Sequence, residues 1–429
     1  MSFQQGLSGL NTSAKALDVL GNNIANANTV GFKSSEVHFS DVYAASLSGG
    51  GASQIGIGSA LSAIQQSFTQ GNITATNNPL DISINGNGFF RMSNSGSISY
   101  TRNGQFHLDN AGYIVNDQGF KLMGYAADPT TGTISPSDPL EIQLSSAQIS
   151  PRATSDPLSG DVTAVLNLDS REGVPSIVPF NKDNPQTYNF STALSVYDTL
   201  GVAHTLTLYF QRTVAGGAWN VYGTMDGAAA TNIATTAGLP AGGGASATAG
   251  GGALAFNTSG ALTSTMPITL PSWTLTSGAA SPWSPGAIDF TGTTQYGSKS
   301  SVDALTQGGY ASGALSGLSI GTDGVVQGRY TNGQSRDLGQ VVLASFTNPN
   351  GLQSVGNNQW VATSDSGPEL VSAPGSGGRG VLQSSSIEES NVDLTAQLVN
   401  MITQQRNYQA NAQTIKTQDQ ILQTLVNLR

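Results

Sequence analysis

The chain has 429 residues, room for roughly two to four domains, and only 10% of them are charged, against about a quarter in an ordinary soluble protein. A net charge of -10, thinly spread, offers no basic face for nucleic acid, and the absence of cysteine excludes disulfides and thiolate metal sites. High glycine (53 residues) with abundant Ser, Thr and Asn reads as a β-rich extracellular or structural protein rather than a cytosolic enzyme.

At the start of the chain Phe3, Leu7, Leu10, Ala14, Leu17 and Ile24 recur at alternating spacings of four and three, with Gly21 at the remaining position. This predicts an amphipathic helix. The same stretch lacks the basic, apolar and small-residue regions of a secretory signal, so the chain is expected to stay inside or to leave with its N-terminus uncleaved. GNNIANANTVGFK (21–33) is dense in Asn and Gly and should stop the helix near 26–28. Weak patterning follows, with a Ser/Gly hinge at 46–53, and reads as an extended, partly irregular arm.

From residue 72 short strands alternate with tight turns. Leu80 to Ile84 alternates with period two, Asn85-Gly86 turns the chain into Phe89-Phe90, and further turns fall at 109–112 and 116–119. DNAG and NDQG lack the spaced carboxylates of a calcium loop. A Pro-rich stretch at 129–157 marks a boundary, followed by a second β-rich region in which Leu206, Leu208 and Phe210 share one strand face. The Ala/Gly-rich stretch 238–252 has no strand-turn-helix context for a phosphate loop and reads as a surface loop. Strand patterns return at 268–275, 318–326 and 339–346.

The last stretch is the most strongly patterned. Leu394, Leu398, Met401, Gln405, Tyr408, Ala412, Ile415, Asp419, Leu422 and Val426 form a heptad stripe, begun by a capping box at Ser390 and Asp393 and free of Pro and Gly. Two stripe positions, Gln405 and Asp419, are polar and would set register and oligomer state at some cost in stability. The rest of the surface is unusually neutral: 392–429 holds eight Gln and four Asn but five charged residues. Such a face, to which Gln409 and Gln413 belong, suits contact with further copies of the helix, or a surface that must not bind passing charged chains.

The expected fold is therefore α+β and mostly β, with nested β-rich domains enclosed by long terminal helices that pair. Terminal coiled-coil helices occupy 1–30 and 390–429, connecting arms 31–71 and 380–389, an inner β-domain 72–148 and 305–379, and an inserted outer β-domain 149–304. No catalytic, cofactor or metal site is expected. His38, His107 and His204 are scattered without a carboxylate at ligand spacing, there is no GxSxG or HExxH, and Glu388-Glu389 are assigned only to the N-terminal dipole of the last helix.

GNNIANANTVGFK (21–33) resembles the N-terminal signature of the bacterial flagellar axial proteins, the rod, hook and hook-associated subunits, carried here by Asn22, Asn23, Ala25, Asn26, Gly31 and Phe32. The run 390–429 is similar to that family's C-terminal helix, and 85–125 and 337–360 resemble its hook-type members. The resemblance implies export by the flagellar type III apparatus without signal cleavage, and an extracellular place in the flagellum. It implies polymerisation with copies of the same chain, beneath a hook cap, into a curved helical tube between distal rod and hook–filament junction proteins. Such a tube bends while transmitting torque, as a universal joint for motility. It implies no nucleic-acid partner and no membrane insertion. A distal rod or hook-associated subunit, or a secreted β-rich adhesin or enzyme with oligomerisation helices, is the alternative.

Overall fold

The computed structural model describes residues 2–42, 56–129, 131–144, 148–213, 217–227, 231–232, 254–275 and 277–427. The expected hinge at 46–53 and the Ala/Gly-rich stretch 238–252 lie outside the described residues. Among those described the chain is mostly β, with two long helices, α1 (Ser2–Ala25) and α2 (Leu394–Asn427). It divides into one compact unit made of 1–146, 317–329 and 335–429 and a second made of 147–316 and 330–334.

In the first unit α1 leads into strand β1 (Ser35–Val42), which pairs antiparallel with β2 (Gly58–Gln66). The part expected to be an irregular arm is thus a two-stranded ladder, with a bulge after His38. A hairpin of two strands is marginal alone in water. It is tied to α1, where Gln5 Nε2 donates to the Gly56 carbonyl (2.6 Å) and the Ser59 N–H donates to Ser8 Oγ (3.3 Å).

Beyond the arm come β3 (Ile73–Ala75), β4 (Ile82–Asn85), β5 (Phe89–Asn94), β6 (Ser97–Thr101), β7 (His107–Leu108), β8 (Ile114–Val115) and β9 (Lys121–Ala126). In the main sheet Val325–Tyr330, Ser335–Val341, β9, β5, β6, Gln359–Val361 and Gln353–Gly356 are neighbours in that order. The returning chain closes the unit: Val381–Ser384 pairs with β4 and Ser386–Glu388 with β3. Strand alternation sends adjacent side chains to opposite faces. Phe90 and Leu343 accordingly join a core with Ile82, Ile84, Met92 and Leu122, whereas Phe89 and Ala344 join a second with Tyr100, Phe346 and Trp360. The apolar run 339–346 is two strands rather than one, Ser335–Val341 and Leu343–Ser345.

The second unit has its own core between two sheets. One contains Ile268–Thr269, Ala287–Asp289, Val162–Asn167 and Ser301–Thr306; the other contains Phe190–Tyr197, Ala203–Arg212, Ala218–Met225 and Thr231–Asn232. Leu206, Leu208 and Phe210 point inward from the second and meet Val162, Ala164 and Leu166 from the first around Trp219 and Phe290, all without solvent exposure. This is the interdigitated core of a β-sandwich. The unit is closed near its two ends by paired backbone, Ile149 N–H to the Gly313 carbonyl (2.8 Å) and Arg152 N–H to the Tyr310 carbonyl (3.0 Å). A boundary at 304 would cut Ser301–Thr306, which pairs with Val162–Asn167.

Candidate functional site

The two terminal helices pack against each other, antiparallel, through a stripe of α1 that apolar periodicity does not mark. Gly6, Gly9, Ser13, Ala16, Leu20 and Asn23 recur at spacings of three and four. A Cβ on Gly6 would lie 3.1 Å from Ile415 Cγ1, and one on Gly9 2.7–2.9 Å from the Asn411 side-chain amide. Asn23 Nδ2 donates to Gln397 Oε1 (3.4 Å) at the far end of the pair. The opposing face of α2 holds Gln397, Met401, Gln404, Asn411, Ile415 and Gln418, all partly buried. Glycine at 6 and 9 lets the helices approach closely: a Cβ at 6 would need Ile415 to give by a few tenths of an ångström, and one at 9 would need the Asn411 amide to move.

The stripes read from the sequence coincide with this contact only in part, at Met401 and Ile415. Phe3 and Leu7 are exposed, and Leu10, Ala14, Leu17 and Ile24 are partly buried. On α2 only Met401, Ala412 and Ile415 of the expected stripe are partly buried. Leu394, Leu398, Gln405, Tyr408, Asp419 and Leu422 are exposed, as are Val399 (59%) and Ile402 (53%) beside them; the Val426 side chain lies outside the described residues. Gln409 and Gln413 are also exposed. The N-cap of α2 is Asp393, whose Oδ1 accepts from the N–H groups of Thr395 (2.9 Å) and Ala396 (3.0 Å). Ser390 lies outside the helix, its hydroxyl accepting from Val392 N–H (3.3 Å), so no capping box forms.

Both helices meet the β-body at one buried polar node. Lys33 Nζ donates to Glu388 Oε1 and to the Thr69 carbonyl, each at 2.7 Å, and Arg102 reaches Glu388 Oε2 (3.1 Å) and the Gly86 carbonyl (2.9 Å). Gly71 N–H donates to Glu388 Oε1 (2.9 Å). The Lys33 and Glu388 side chains are 0% exposed. Burial, the largest influence, pulls the Lys33 ammonium below the ordinary lysine value, with the Glu388 charge opposing it. Glu388 is therefore not a helix-dipole residue; one carboxylate serves two buried cations.

Two asparagines complete the node. The Asn23 side chain exchanges a pair of hydrogen bonds with the Ser35 backbone, both 2.9 Å. Asn391 accepts from Ser34 N–H (2.7 Å) and donates to the Ser67 carbonyl (2.8 Å) and Thr69 Oγ1 (2.9 Å). Gly31 sits at φ 70°, where a Cβ would fall 2.5 Å from the Asn103 nitrogen, and its N–H donates to the Glu388 carbonyl (2.8 Å). Of the other signature residues, Asn26 caps the end of α1 against Asn22 and Thr29, Phe32 is partly buried, and Ala25 is exposed.

One histidine departs from expectation. His38 and His107 are exposed, but His204 is buried between two carboxylates, Nδ1 2.5 Å from Asp226 Oδ2 and Nε2 3.2 Å from Asp198 Oδ2. Ser277 Oγ donates to Asp198 Oδ2 (2.6 Å), not to the ring. With both ring nitrogens on carboxylates, the imidazole is not aimed at the hydroxyl, and the group is not a Ser–His nucleophile–base pair. Among the described residues no three His, Asp or Glu side chains are arranged to hold a metal, and no helix is long and apolar enough to cross a membrane.

Comparison with known proteins covers the chain almost end to end. Family models match at 3–33 (Flagella basal body rod protein), 83–155 (Flagellar hook protein FlgE/F/G D1 domain), 167–310 (Flagellar basal body protein FlaE D2 domain) and 383–428 (Flagellar basal body rod FlgEFG protein C-terminal). The flagellar hook proteins FlgE of Salmonella typhimurium and Escherichia coli are each 41% identical to it, over all of both chains. That of Treponema pallidum is 32% identical, over all of this chain and 99% of the relative. With paired terminal helices, a buried node at their junction and this likeness over its whole length, the chain belongs to the flagellar hook protein FlgE family.

Proposed function

We propose that the chain is a structural subunit of the bacterial flagellar hook, and no enzyme: it polymerises into a curved, flexible tube that joins rod to filament and carries motor torque. The observation that carries this reading is the mismatch between the helix pair and its apolar residues. The helices meet through Gly6, Gly9 and Asn23, while Leu394, Leu398, Ile402 and Leu422 stay exposed. Apolar side chains left in water along a long helix are buried by association, and a helical polymer repeats that contact along the tube. On this reading Gln405 and Asp419 fix the register between subunits, and Gln409 and Gln413 line the lumen. The unit formed by 147–316 and 330–334 is the inserted outer domain. The distal rod, hook cap and hook–filament junction proteins are its neighbours, and the type III apparatus exports it without cleaving a signal.

Electron microscopy of concentrated protein tests the reading. Wild-type chain is expected to form hollow curved tubes. A Leu398→Asp, Leu422→Asp double variant is expected to remain as discrete particles with unchanged secondary structure, because both side chains are about half exposed in the single chain. Tubes formed by the double variant would overturn the assignment of the stripe.

A further inference from the structure

We propose that Asp198, His204 and Asp226 form a proton-operated latch in the second unit, closed while the imidazole is protonated and released when it loses its proton. The three residues come from separate places. Asp198 lies in the turn between Phe190–Tyr197 and Ala203–Arg212, His204 near the start of the latter, and Asp226 directly after Ala218–Met225. A neutral imidazole has one N–H and one acceptor nitrogen. It can donate to one of these carboxylates, but its other nitrogen would then face a carboxylate oxygen at hydrogen-bond distance. Only the imidazolium satisfies both.

The two carboxylates differ in what they do when the proton leaves. Asp198 is fully buried and held from several sides. Its Oδ1 accepts from the N–H groups of Leu200 (2.8 Å) and Val202 (2.9 Å), and its Oδ2 from Ser277. Asp226 has a half-exposed side chain and, among the described residues, accepts besides the ring from Thr205 N–H (2.7 Å). The remaining ring proton is best spent on the carboxylate that water cannot reach, because a buried unpaired acceptor costs more than one that can turn out into solvent. Asp226 is therefore the half of the latch that opens, and the Thr205 bond goes with it.

The charged groups facing the ring are these two carboxylates; the Trp283 ring lies with its centroid 6.1 Å away and Ser277 behind Asp198. Burial opposes the charged ring, but the bonds to Asp226 and Asp198 and their charges together outweigh it and raise the His204 pKa above its ordinary value. Because the folded value is the higher one, the stabilisation is complete below about pH 6.5 and is lost as pH rises through the folded pKa.

Imidazole C–H resonances of the full chain, followed against pH by NMR, test the latch. The chain has three histidines, of which His38 and His107 are exposed. His204 is expected to titrate above the ordinary imidazole value. Asp226→Asn should bring its midpoint down. Through the same titration, exchange of the Thr205 amide should rise beyond the ordinary pH dependence of exchange in wild type, and not in His204→Gln. A His204 midpoint at or below the ordinary imidazole value, or Thr205 protection that survives the titration, overturns the proposal. The wild-type titration decides it even if a variant fails to fold.

Discussion

Replacing Glu388 by Gln isolates the charge at the node where both helices join the β-body. Gln keeps the volume and one acceptor oxygen, so no cavity contributes. What is lost is, among the described residues, the anion paired with Lys33 and Arg102, whose side chains are 0% and 3% exposed. Breaking a fully buried ion pair by neutralising one partner costs about 3–5 kcal/mol. Two stranded cations place Glu388→Gln toward the upper end, a large part of the roughly 5–15 kcal/mol that stabilises a domain. At about 2–4 °C per kcal/mol for a domain of 150–250 residues, the first unit should melt some ~6–20 °C lower. Lys33→Met should cost less, since Arg102 and Glu388 remain as a one-to-one pair and no buried charge is left unpaired, although the bonds to Glu388 Oε1 and the Thr69 carbonyl are lost. Scanning calorimetry, with hydrogen exchange of Ile82, Ile84 and Leu122 to identify the transition, measures both. A shift under ~2 °C for Glu388→Gln, or a cost no greater than that of Lys33→Met, would refute the reasoning.

Three further outcomes are expected. Gly9→Leu should lower the helical circular dichroism of the chain, because overpacking against Asn411 costs about 1–3 kcal/mol and outweighs the ~1 kcal/mol gained in helix propensity; a rise in helicity would mean that propensity alone governs α1. Phe210→Ala, at a site with no exposure beside Phe290, should destabilise the second unit by about 3–5 kcal/mol in denaturant titration. Gln409→Glu with Gln413→Glu should leave folding unchanged, as both are exposed, but shorten hooks and filaments in cells if they line the lumen; normal lengths with the variant incorporated would remove that assignment.

The helices, the β-meander and the inward face of Leu206, Leu208 and Phe210 were legible because each rests on a local period of apolar residues. The helix pair was not, for a physical reason. Apolar periodicity marks where oil lies, and here the close contact uses Gly6, Gly9 and Asn23, which carry almost none. Glu388 was read as a dipole partner because its neighbours in sequence are a helix start; its actual partners, Lys33 and Arg102, are 355 and 286 positions away. The setting of His204 is hidden from the sequence for a related reason. Asp198 is six residues off across a tight turn and Asp226 twenty-two residues off on a strand end, so hairpin geometry rather than motif spacing brings them together. The signature residues were identified as a set, but the work of Asn23 and Gly31 at the node is visible only in three dimensions.

The node also defines a load path. The end of α1 and the start of α2 are fastened within a few residues of each other, through Asn23 and Lys33 on one side and Glu388 and Asn391 on the other. Tension or twist applied to either helix therefore reaches the β-body at the same place. Because Lys33, Arg102, Gly71 N–H and the Ser35 and Ser67 backbone are all engaged there at once, the bonds are strained in parallel, as rivets in a plate, and none can yield alone without its neighbours holding the geometry. A rotating shaft built from such subunits would keep its compliance elsewhere, in contacts that can re-form after sliding, and its stiffness at this knuckle.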